Sequence, residues 1–169
     1  MFNIYKRQQP NPIIMPTELQ EQYELPIYKI MKRLKEGNII KVALKIDGGF
    51  FVSAANGGGG YVFVNSIAIG PNETFLLVPQ GLNRDKVAIR TVNGNYLSAV
   101  NGGEGLITTT GTMIGANEQF LMIGATPDRA NFISEKGLLM FALINEPRFL
   151  TAYGVATGPR TRLIVIPQI

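Results

Sequence analysis

The sequence predicts an all-β protein built from three repeats of four strands each. The stretch from Val42 to Val78 recurs without a gap 45 residues later, as Val87 to Ile123, and 15 of the 37 aligned positions are identical. Each copy contains four short apolar runs divided by turn residues, the signature of a repeated β architecture. With a fainter third copy, the repeats at 42–78, 87–123 and 130–166 predict a β-trefoil, a six-stranded barrel capped by three hairpins.

The third copy is weaker but keeps the spacing of the other two. Gly158-Pro159 repeats Gly70-Pro71, and Leu163 keeps an apolar residue where the other copies have phenylalanine. A three-bladed propeller is the alternative, although propellers typically have about four or more blades. Three columns are identical in all copies: Gly49, Gly94 and Gly137; Ala54, Ala99 and Ala142; Gly70, Gly115 and Gly158.

The strands in each copy follow from their periodicity and from the turns between them. Val42, Leu44 and Ile46 alternate with smaller or polar residues, as in a half-buried strand. Asp47-Gly48-Gly49 and Asn93-Gly94 supply the positive φ angles of tight hairpins. In copy one we expect strands at roughly 42–46, 50–55, 61–64 and 73–78.

An N-terminal arm and one helix, together residues 1–41, are expected ahead of the trefoil domain at 42–169. Pro10, Pro12 and Pro16 prevent a continuous helix in the arm. The arm could also hold two copies of the chain together, so a homo-oligomer formed through it is one open alternative.

The helix is predicted at about 26–36, with Pro26 at its first position and Gly37 after its last turn. Ile27, Ile30, Met31 and Leu34 form one apolar stripe, and four basic residues lie on the opposite side. The stripe favours packing across the trefoil, where the helix would plug one end of the barrel. The alternative is a basic amphipathic helix that meets an anionic membrane or another protein. The basic residues are Lys29, Lys32, Arg33 and Lys35.

Composition indicates an ordered globular protein, since 46% of residues are hydrophobic and 17% are charged. A membrane-spanning helix requires about 18 consecutive apolar residues, and no apolar run in the sequence is that long. The first residues lack the apolar core of a signal peptide, and the chain has no cysteine. We therefore expect a cytoplasmic protein by default, with secretion left open.

Charge is concentrated at the N-terminus. Residues 1–41 carry a net charge of +3 and residues 42–169 a net charge of only +1. Nucleic-acid binding proteins usually present a strongly basic face to the phosphate backbone. A near-neutral trefoil therefore predicts no nucleic-acid partner.

Two residue types that many catalytic sites use, histidine and cysteine, are absent from the sequence, which leaves carboxylates as the acid/base candidates. The chain has no histidine, which excludes the Ser-His-Asp triad and histidine metal sites, and no metal or cofactor is expected. Glu73 and Glu118 occupy the same column, so we interpret them as turn residues that bind backbone N–H groups. The glycine tract 56–60 lacks the Gly-Lys-Ser/Thr ending of a phosphate loop and is interpreted as a hairpin loop. We expect a protein that is not an enzyme.

Aligned positions at which one copy differs from the other two are not fixed by the repeated fold, so we expect functional residues among them. In copy three, Asn145-Glu146-Pro147-Arg148 replaces the glycine loop, and Arg160-Thr161-Arg162 replaces Asn-Glu-Thr or Asn-Glu-Gln. Sugar sites typically combine an aromatic face with amides or charged groups. Phe50, Phe51 and Tyr96 could contribute to such an aromatic face. The candidate ligand-binding residues are Asn56 and Tyr61 in copy one, Asn101 and Glu104 in copy two, and Asn145, Arg148, Tyr153, Arg160 and Arg162 in copy three.

One family resemblance is carried by copies one and two. The stretch Gly94-Asn95-Tyr96-Leu97-Ser98-Ala99, followed by Asn117-Glu118-Gln119-Phe120-Leu121, resembles the repeat of fascin-like β-trefoils. Copy one matches through 49–54 and 73–75, and copy three matches poorly. The resemblance implies a trefoil over 42–169 and, by analogy with fascins, binding to actin. Related agglutinin-type trefoils bind carbohydrate, whereas the absence of tryptophan argues against the ricin type.

Two non-enzymatic functions follow as hypotheses. The first is a lectin-like carbohydrate-binding module that uses the trefoil loops. The alternative is a protein-interaction or actin-binding adaptor of fascin type that uses the trefoil surface and the basic helix. Fascins cross-link actin with several trefoils, whereas this chain has one, so bundling would require oligomers.

Overall fold

The computed structural model describes residues 26–143, 145–154, 158 and 160–168, which comprise helix α1 (Pro26–Lys35) and twelve strands. The predicted arm at 1–25 lies outside the described residues. The strands are β1 (Ile40–Lys45), β2 (Phe51–Ala54), β3 (Val62–Ser66), β4 (Phe75–Gln80), β5 (Lys86–Arg90), β6 (Tyr96–Ala99), β7 (Ile107–Gly111), β8 (Phe120–Thr126), β9 (Arg129–Ile133), β10 (Leu139–Ala142), β11 (Leu150–Gly154) and β12 (Leu163–Pro167).

Six of the strands close into a barrel. The first and fourth strands of each copy pair in the antiparallel ring β1–β4–β5–β8–β9–β12, and β12 returns to β1. A closed ring leaves no unpaired sheet edge in the barrel. This topology confirms the β-trefoil and excludes the propeller alternative, in which each four-stranded repeat would form a separate blade.

The remaining strands form three hairpins, β2–β3, β6–β7 and β10–β11, that cap one end of the barrel. Three isolated bridges join neighbouring hairpins in a ring: Tyr61 pairs with Thr108, Leu106 with Thr151, and Phe149 with Phe63. In each pair, the residue equivalent to Tyr61 in one copy pairs with the residue equivalent to Phe63 in the next copy. The approximate threefold symmetry of the sequence is therefore also a symmetry of backbone contacts.

The core fills the barrel with the inward side chains of the repeat. Phe75, Phe120 and Leu163 occupy one column and are almost completely buried, as are Val42 and Val87 in another. Strand periodicity puts alternate residues on the inner face, which explains why these columns stay apolar in every copy. Burial of such side chains supplies the main stabilising free energy of the domain.

Helix α1 packs its apolar stripe against the barrel strands β1, β4 and β8. Ile27, Ile30 and Leu34 are buried, and Ile27 donates a backbone hydrogen bond of 2.8 Å to the carbonyl of Pro127. Gly124 of β8 has no side chain, which lets Met31 and Ile27 approach the strand closely. The helix thus packs across the trefoil as predicted, and a version in which its stripe stays free is wrong.

The end of α1 has a defined cap. Gly37 has a φ of +92° and donates to the Leu34 carbonyl at 2.9 Å, while Asn38 donates to the Arg33 carbonyl at 3.0 Å, which is a Schellman motif. The Arg84 guanidinium donates to the Lys35 carbonyl at 3.1 Å. Among the described residues, α1 included, no helix is both long enough and apolar enough to cross a membrane.

Some predicted boundaries differ from the structure. The last strand of copy one begins at Phe75 rather than at 73, because residues 71–73 form a short 3-10 turn that Glu73 stabilises. Strand β1 begins at Ile40, two residues before the repeat, because Ile40 still pairs with Leu77. Helix α1 ends at Lys35, one residue earlier than predicted.

Candidate ligand-binding site

The junction between copies one and two is closed by the glycine loop of the β2–β3 hairpin. The Gly57 carbonyl accepts a hydrogen bond of 3.1 Å from the backbone N–H of Asn93, in the β5–β6 turn. Gly58 has a φ of +134°, and a Cβ there would lie 2.7 Å from side-chain oxygens of Thr91 and Asn95. Glycine is therefore required for the loop to reach the turn of the next copy.

The junction between copies two and three is closed in the same way. The Gly102 carbonyl accepts hydrogen bonds from the Lys136 N–H at 3.1 Å and from the Ser134 hydroxyl at 2.7 Å. A Cβ on Gly103 would lie 2.9 Å from the Ser134 oxygen. The glycine loops of both copies are thus packing elements, as interpreted from the sequence.

The junction between copies three and one is built differently. Asn145, Glu146 and Pro147 occupy the columns of three loop glycines in copy one, and all three are exposed. Within the described part of the chain, no backbone hydrogen bond joins Asn145 to Gly48, although the equivalent bond exists at both other junctions. Among the described residues, the third loop therefore lacks the backbone hydrogen bond to the β1–β2 turn that the other two loops make to theirs.

A second symmetry break lies directly behind this loop. In copy one the Glu73 carboxylate accepts hydrogen bonds from the Ser53 hydroxyl at 2.5 Å and from the Gly70 N–H at 2.8 Å. Ser98 and Glu118 repeat the pair at 2.5 Å. These contacts match the structural role predicted for both glutamates.

In copy three the hydroxyl–carboxylate pair is replaced. Phe141 stands in the serine column and Thr161 in the glutamate column. The Thr161 hydroxyl oxygen accepts the Gly158 N–H at 2.8 Å, so the turn is still held. The phenyl ring of Phe141 remains half-buried and contributes an apolar wall.

Beside these two changes lies an open cavity of about 400 Å³, lined by residues of copy three, which we call the junction cavity. This volume is within the range of small-ligand sites in proteins. Its wall is mainly apolar and aromatic, and its rim carries an amide, a carboxylate and a guanidinium. The lining residues are Phe141, Leu143, Asn145, Glu146, Pro147, Phe149 and Arg160.

Aromatic and ionic contacts position the rim. The rings of Tyr61 and Phe149 meet edge to face with centroids 5.4 Å apart, so the half-exposed Tyr61 extends the aromatic wall from copy one. The Arg148 guanidinium lies 4.4 Å from the centroid of the Phe50 ring and forms an ion pair with Glu146. Arg148 therefore links the third loop to the β1–β2 turn.

The structure brings some of the predicted site residues together and separates others. Asn145 and Arg160 line the junction cavity, Tyr61 lies beside it, and Arg148 supports its loop. Asn56, Asn101 and Glu104 lie in the loops of the closed junctions, where each adopts a positive φ. Tyr153 lies half-exposed on β11, and Arg162 lies just before β12, and neither lines the cavity.

Sequence reasoning missed the apolar wall of the cavity. Phe141, Leu143 and Phe149 were not selected, because an aromatic residue in a strand of a repeat is usually a core residue. One signal was available for Phe141, since it replaces a serine that the other two copies share. Phe149 replaces Tyr61 and Leu106, which does not mark it as unusual.

Comparison with known proteins supports the fold. No protein-family model and no curated protein matches the sequence. The crystal structure of the designed threefold-symmetric protein ThreeFoil is 14% identical, with a TM-score of 0.66 over 75% of this chain and 97% of that chain. The BEL β-trefoil is 15% identical, with a TM-score of 0.63 over 76% and 93%.

A third similar structure contains a bound glycan. The Polyporus squamosus lectin, bound to a human-type influenza-binding epitope, Neu5Aca2-6Galb1-4GlcNAc, is 16% identical, with a TM-score of 0.63 over 74% of this chain and 48% of that chain. At such identities the likeness shows the fold alone. No family model supports the fascin-like resemblance specifically. The protein is a β-trefoil.

Proposed function

We propose that the protein is a non-enzymatic carbohydrate-binding module whose site is the junction cavity. The observation that carries the proposal is the aromatic wall of Phe141 and Phe149 beneath a polar rim of Asn145 and Arg160. The apolar face of a sugar ring packs on aromatic side chains, while its hydroxyl groups need donors and acceptors at the edge. The cavity offers both on one surface.

Similar structures lend support at the level of the fold. The Polyporus squamosus lectin binds a glycan, and an endo-β-galactosidase from Clostridium perfringens contains a similar domain that spans 33% of its chain. These properties belong to those proteins, and a shared trefoil does not transfer a ligand. The support is that the fold is compatible with a carbohydrate site.

The chemistry of the carboxylates favours binding over catalysis. Hydrolysis of a glycosidic bond typically uses two carboxyl groups that flank the bond. Glu73 and Glu118 each accept a hydroxyl and a backbone N–H within their own repeats, and Glu146 is paired with Arg148. Among the described residues that line the cavity, Glu146 is the one carboxylate, and it already has a cationic partner in Arg148.

A glycan array probed with the full-length chain tests this proposal. We expect saturable binding to at least one glycan class, and Asn145→Ala should weaken that binding about tenfold, because it removes amide hydrogen bonds at the rim. Glu104→Ala is the matched control, since Glu104 is an exposed loop residue of copy two. Binding that Glu104→Ala abolishes and Asn145→Ala leaves intact would place the site elsewhere, and no binding would reject a lectin function for the sugars on the array.

A second candidate function is interaction with another protein through the outer face of α1. Its support is that Lys29, Lys32, Arg33 and Lys35 are all exposed, while the apolar stripe is buried. The fascin-like resemblance makes filamentous actin the first partner to assay. Cosedimentation that is lost in a Lys32→Glu, Arg33→Glu variant would favour this function, and the absence of cosedimentation would reject actin as the partner.

A further inference from the structure

Electrostatic character distinguishes the junction cavity from the same region of the other two copies. The columns that hold Asn72-Glu73-Thr74 and Asn117-Glu118-Gln119 carry one negative charge in each of those copies. In copy three the same columns hold Arg160-Thr161-Arg162, with two positive charges. The change replaces a carboxylate with two guanidinium groups, of which that of Arg160 lines the cavity.

The charges at the rim are not equally available to a ligand. Glu146 and Arg148 form an ion pair, and the Arg148 guanidinium also covers the Phe50 ring, so these two charges largely cancel. Arg160 is exposed and lines the cavity. Among the described residues, no carboxylate forms an ion pair with Arg160.

The apolar wall makes this guanidinium more effective than an ordinary surface arginine. A ligand that covers Phe141 and Phe149 excludes water from the side of the cavity where Arg160 lies. Electrostatic attraction is stronger in such a partly desolvated site than in open solvent. Guanidinium also matches the planar, two-oxygen geometry of a carboxylate, to which it can donate two parallel hydrogen bonds.

Resting on the proposed function, we infer that the junction cavity selects acidic sugars, whose carboxylate pairs with Arg160 while the sugar ring packs against Phe141 and Phe149. Sialic acids and uronic acids carry this combination of a carboxylate and a pyranose ring. Neutral sugars can use the aromatic wall and Asn145 but leave the guanidinium without a partner. The cavity therefore discriminates by charge as well as by shape.

The test compares acidic glycans with their neutral counterparts on the full-length chain. Sialyllactose against lactose, and methyl glucuronide against methyl glucoside, are the probes, with titration calorimetry as the measurement. We expect the acidic member of at least one pair to bind about tenfold more tightly, a factor typical of one hydrogen-bonded ionic contact. The preference should shrink as salt is raised, because screening weakens the ionic contact.

Arg160→Asn separates the charge from the rest of the site. The substitution introduces the residue that copies one and two have in this column. It should remove the acidic preference and leave the affinity for neutral sugars unchanged. Arg90→Asn is the matched control, because Arg90 is an exposed arginine of β5 in copy two, and it should keep the preference.

The outcomes also separate this inference from the proposed function. Neutral glycans that bind as well as acidic ones, or an acidic preference retained in Arg160→Asn, would overturn the inference while leaving a lectin function in place. Failure of every glycan to bind the intact chain would overturn both. An unchanged thermal unfolding midpoint in Arg160→Asn shows that a lost preference does not reflect a misfolded protein.

Discussion

Two junctions between the repeats are closed by glycine loops, and the third is open. The closed junctions use Gly57-Gly58 and Gly102-Gly103, whose backbone lies against the turn of the next copy. The open junction has Asn145-Glu146 in the same columns and a cavity of about 400 Å³ beneath them. One junction can open without loss of the fold because the barrel strands of copies three and one still pair directly, β12 with β1.

The comparison shows that the threefold symmetry is kept in the barrel columns and broken in the hairpin loop of copy three. The barrel columns are alike in all three copies because each must fill the same interior. The hairpin loops are constrained only where they contact a neighbouring turn. Copy three lacks both the loop glycines and the Ser–Glu pair, and the junction cavity lies beside these positions.

The largest effect should come from a side chain added inside a closed junction. Gly58→Ala should lower the free energy of unfolding by about 3 kcal/mol, because the new methyl group combines positive-φ strain with overlap against Thr91 and Asn95. Gly59→Ala is the control, since Gly59 also has a positive φ but no atoms within 4 Å of an added Cβ. It should cost about 1 kcal/mol.

Urea denaturation of both variants provides the measurement. Equal losses of stability in Gly58→Ala and Gly59→Ala would show that contact between the loop and the next turn does not matter. The closed junction would then differ from the open one only in its backbone conformation.

An intermediate effect is expected at the pair of residues that copy three lacks. Glu73→Ala removes the acceptor of both the Ser53 hydroxyl and the Gly70 N–H in a mostly buried site, and should destabilise the protein by about 2 kcal/mol. Thr161→Ala is the equivalent change in copy three and should cost about 1 kcal/mol, because it removes a neutral acceptor from one N–H.

Denaturant unfolding at neutral pH compares the two directly. A Thr161→Ala variant less stable than Glu73→Ala would indicate that the open junction depends on its side-chain contacts more than the closed one does.

The smallest effect should come from the contact that supports the open loop. Arg148→Ala removes the cation–π contact with Phe50 and the ion pair with Glu146, both partly exposed, and should change stability by less than about 1 kcal/mol. Lys45→Ala is the control, since Lys45 lies farther from its aromatic partner, at 5.4 Å from the Phe51 ring centroid, and it should have a smaller effect.

Thermal unfolding is sensitive enough to rank these variants. A loss in Arg148→Ala comparable to that of Gly58→Ala would mean that the third loop is a packing element like the other two, contrary to the comparison.

Much of the fold could be predicted from the sequence because the repeat encodes local requirements. The strand periodicity, the glycine turns and the apolar stripe of Ile27, Ile30 and Leu34 each follow from contacts that neighbouring residues dictate. Strand ends were less accurate, because the turn at 71–73 is held by the side chain of Glu73, a preference that an apolar pattern does not show.

The candidate site could be predicted only in part. The symmetry breaks at 145–148 and 160–162 were visible, and the structure places Asn145 and Arg160 in one cavity. Phe149 could not be selected, since burial of an aromatic side chain depends on what packs against it from other strands, and the one signal for Phe141 was its replacement of a serine shared by the other two copies. Arg148 was selected as a ligand group, whereas its guanidinium contacts Phe50 and Glu146.

By itself the sequence determined the threefold trefoil, the amphipathic character of the helix at 26–36 and the columns at which copy three departs from the others, whereas the packing of that helix on the barrel came from the structure. These features are either local or repeated, and the period of a repeat can be measured directly from the sequence. Only the tertiary structure decided that the third junction is open, because closure depends on whether a loop fits the turn of the next copy. That fit involves residues far apart in the sequence, such as Gly57 and Asn93, and it depends on packing rather than on any pattern along the chain.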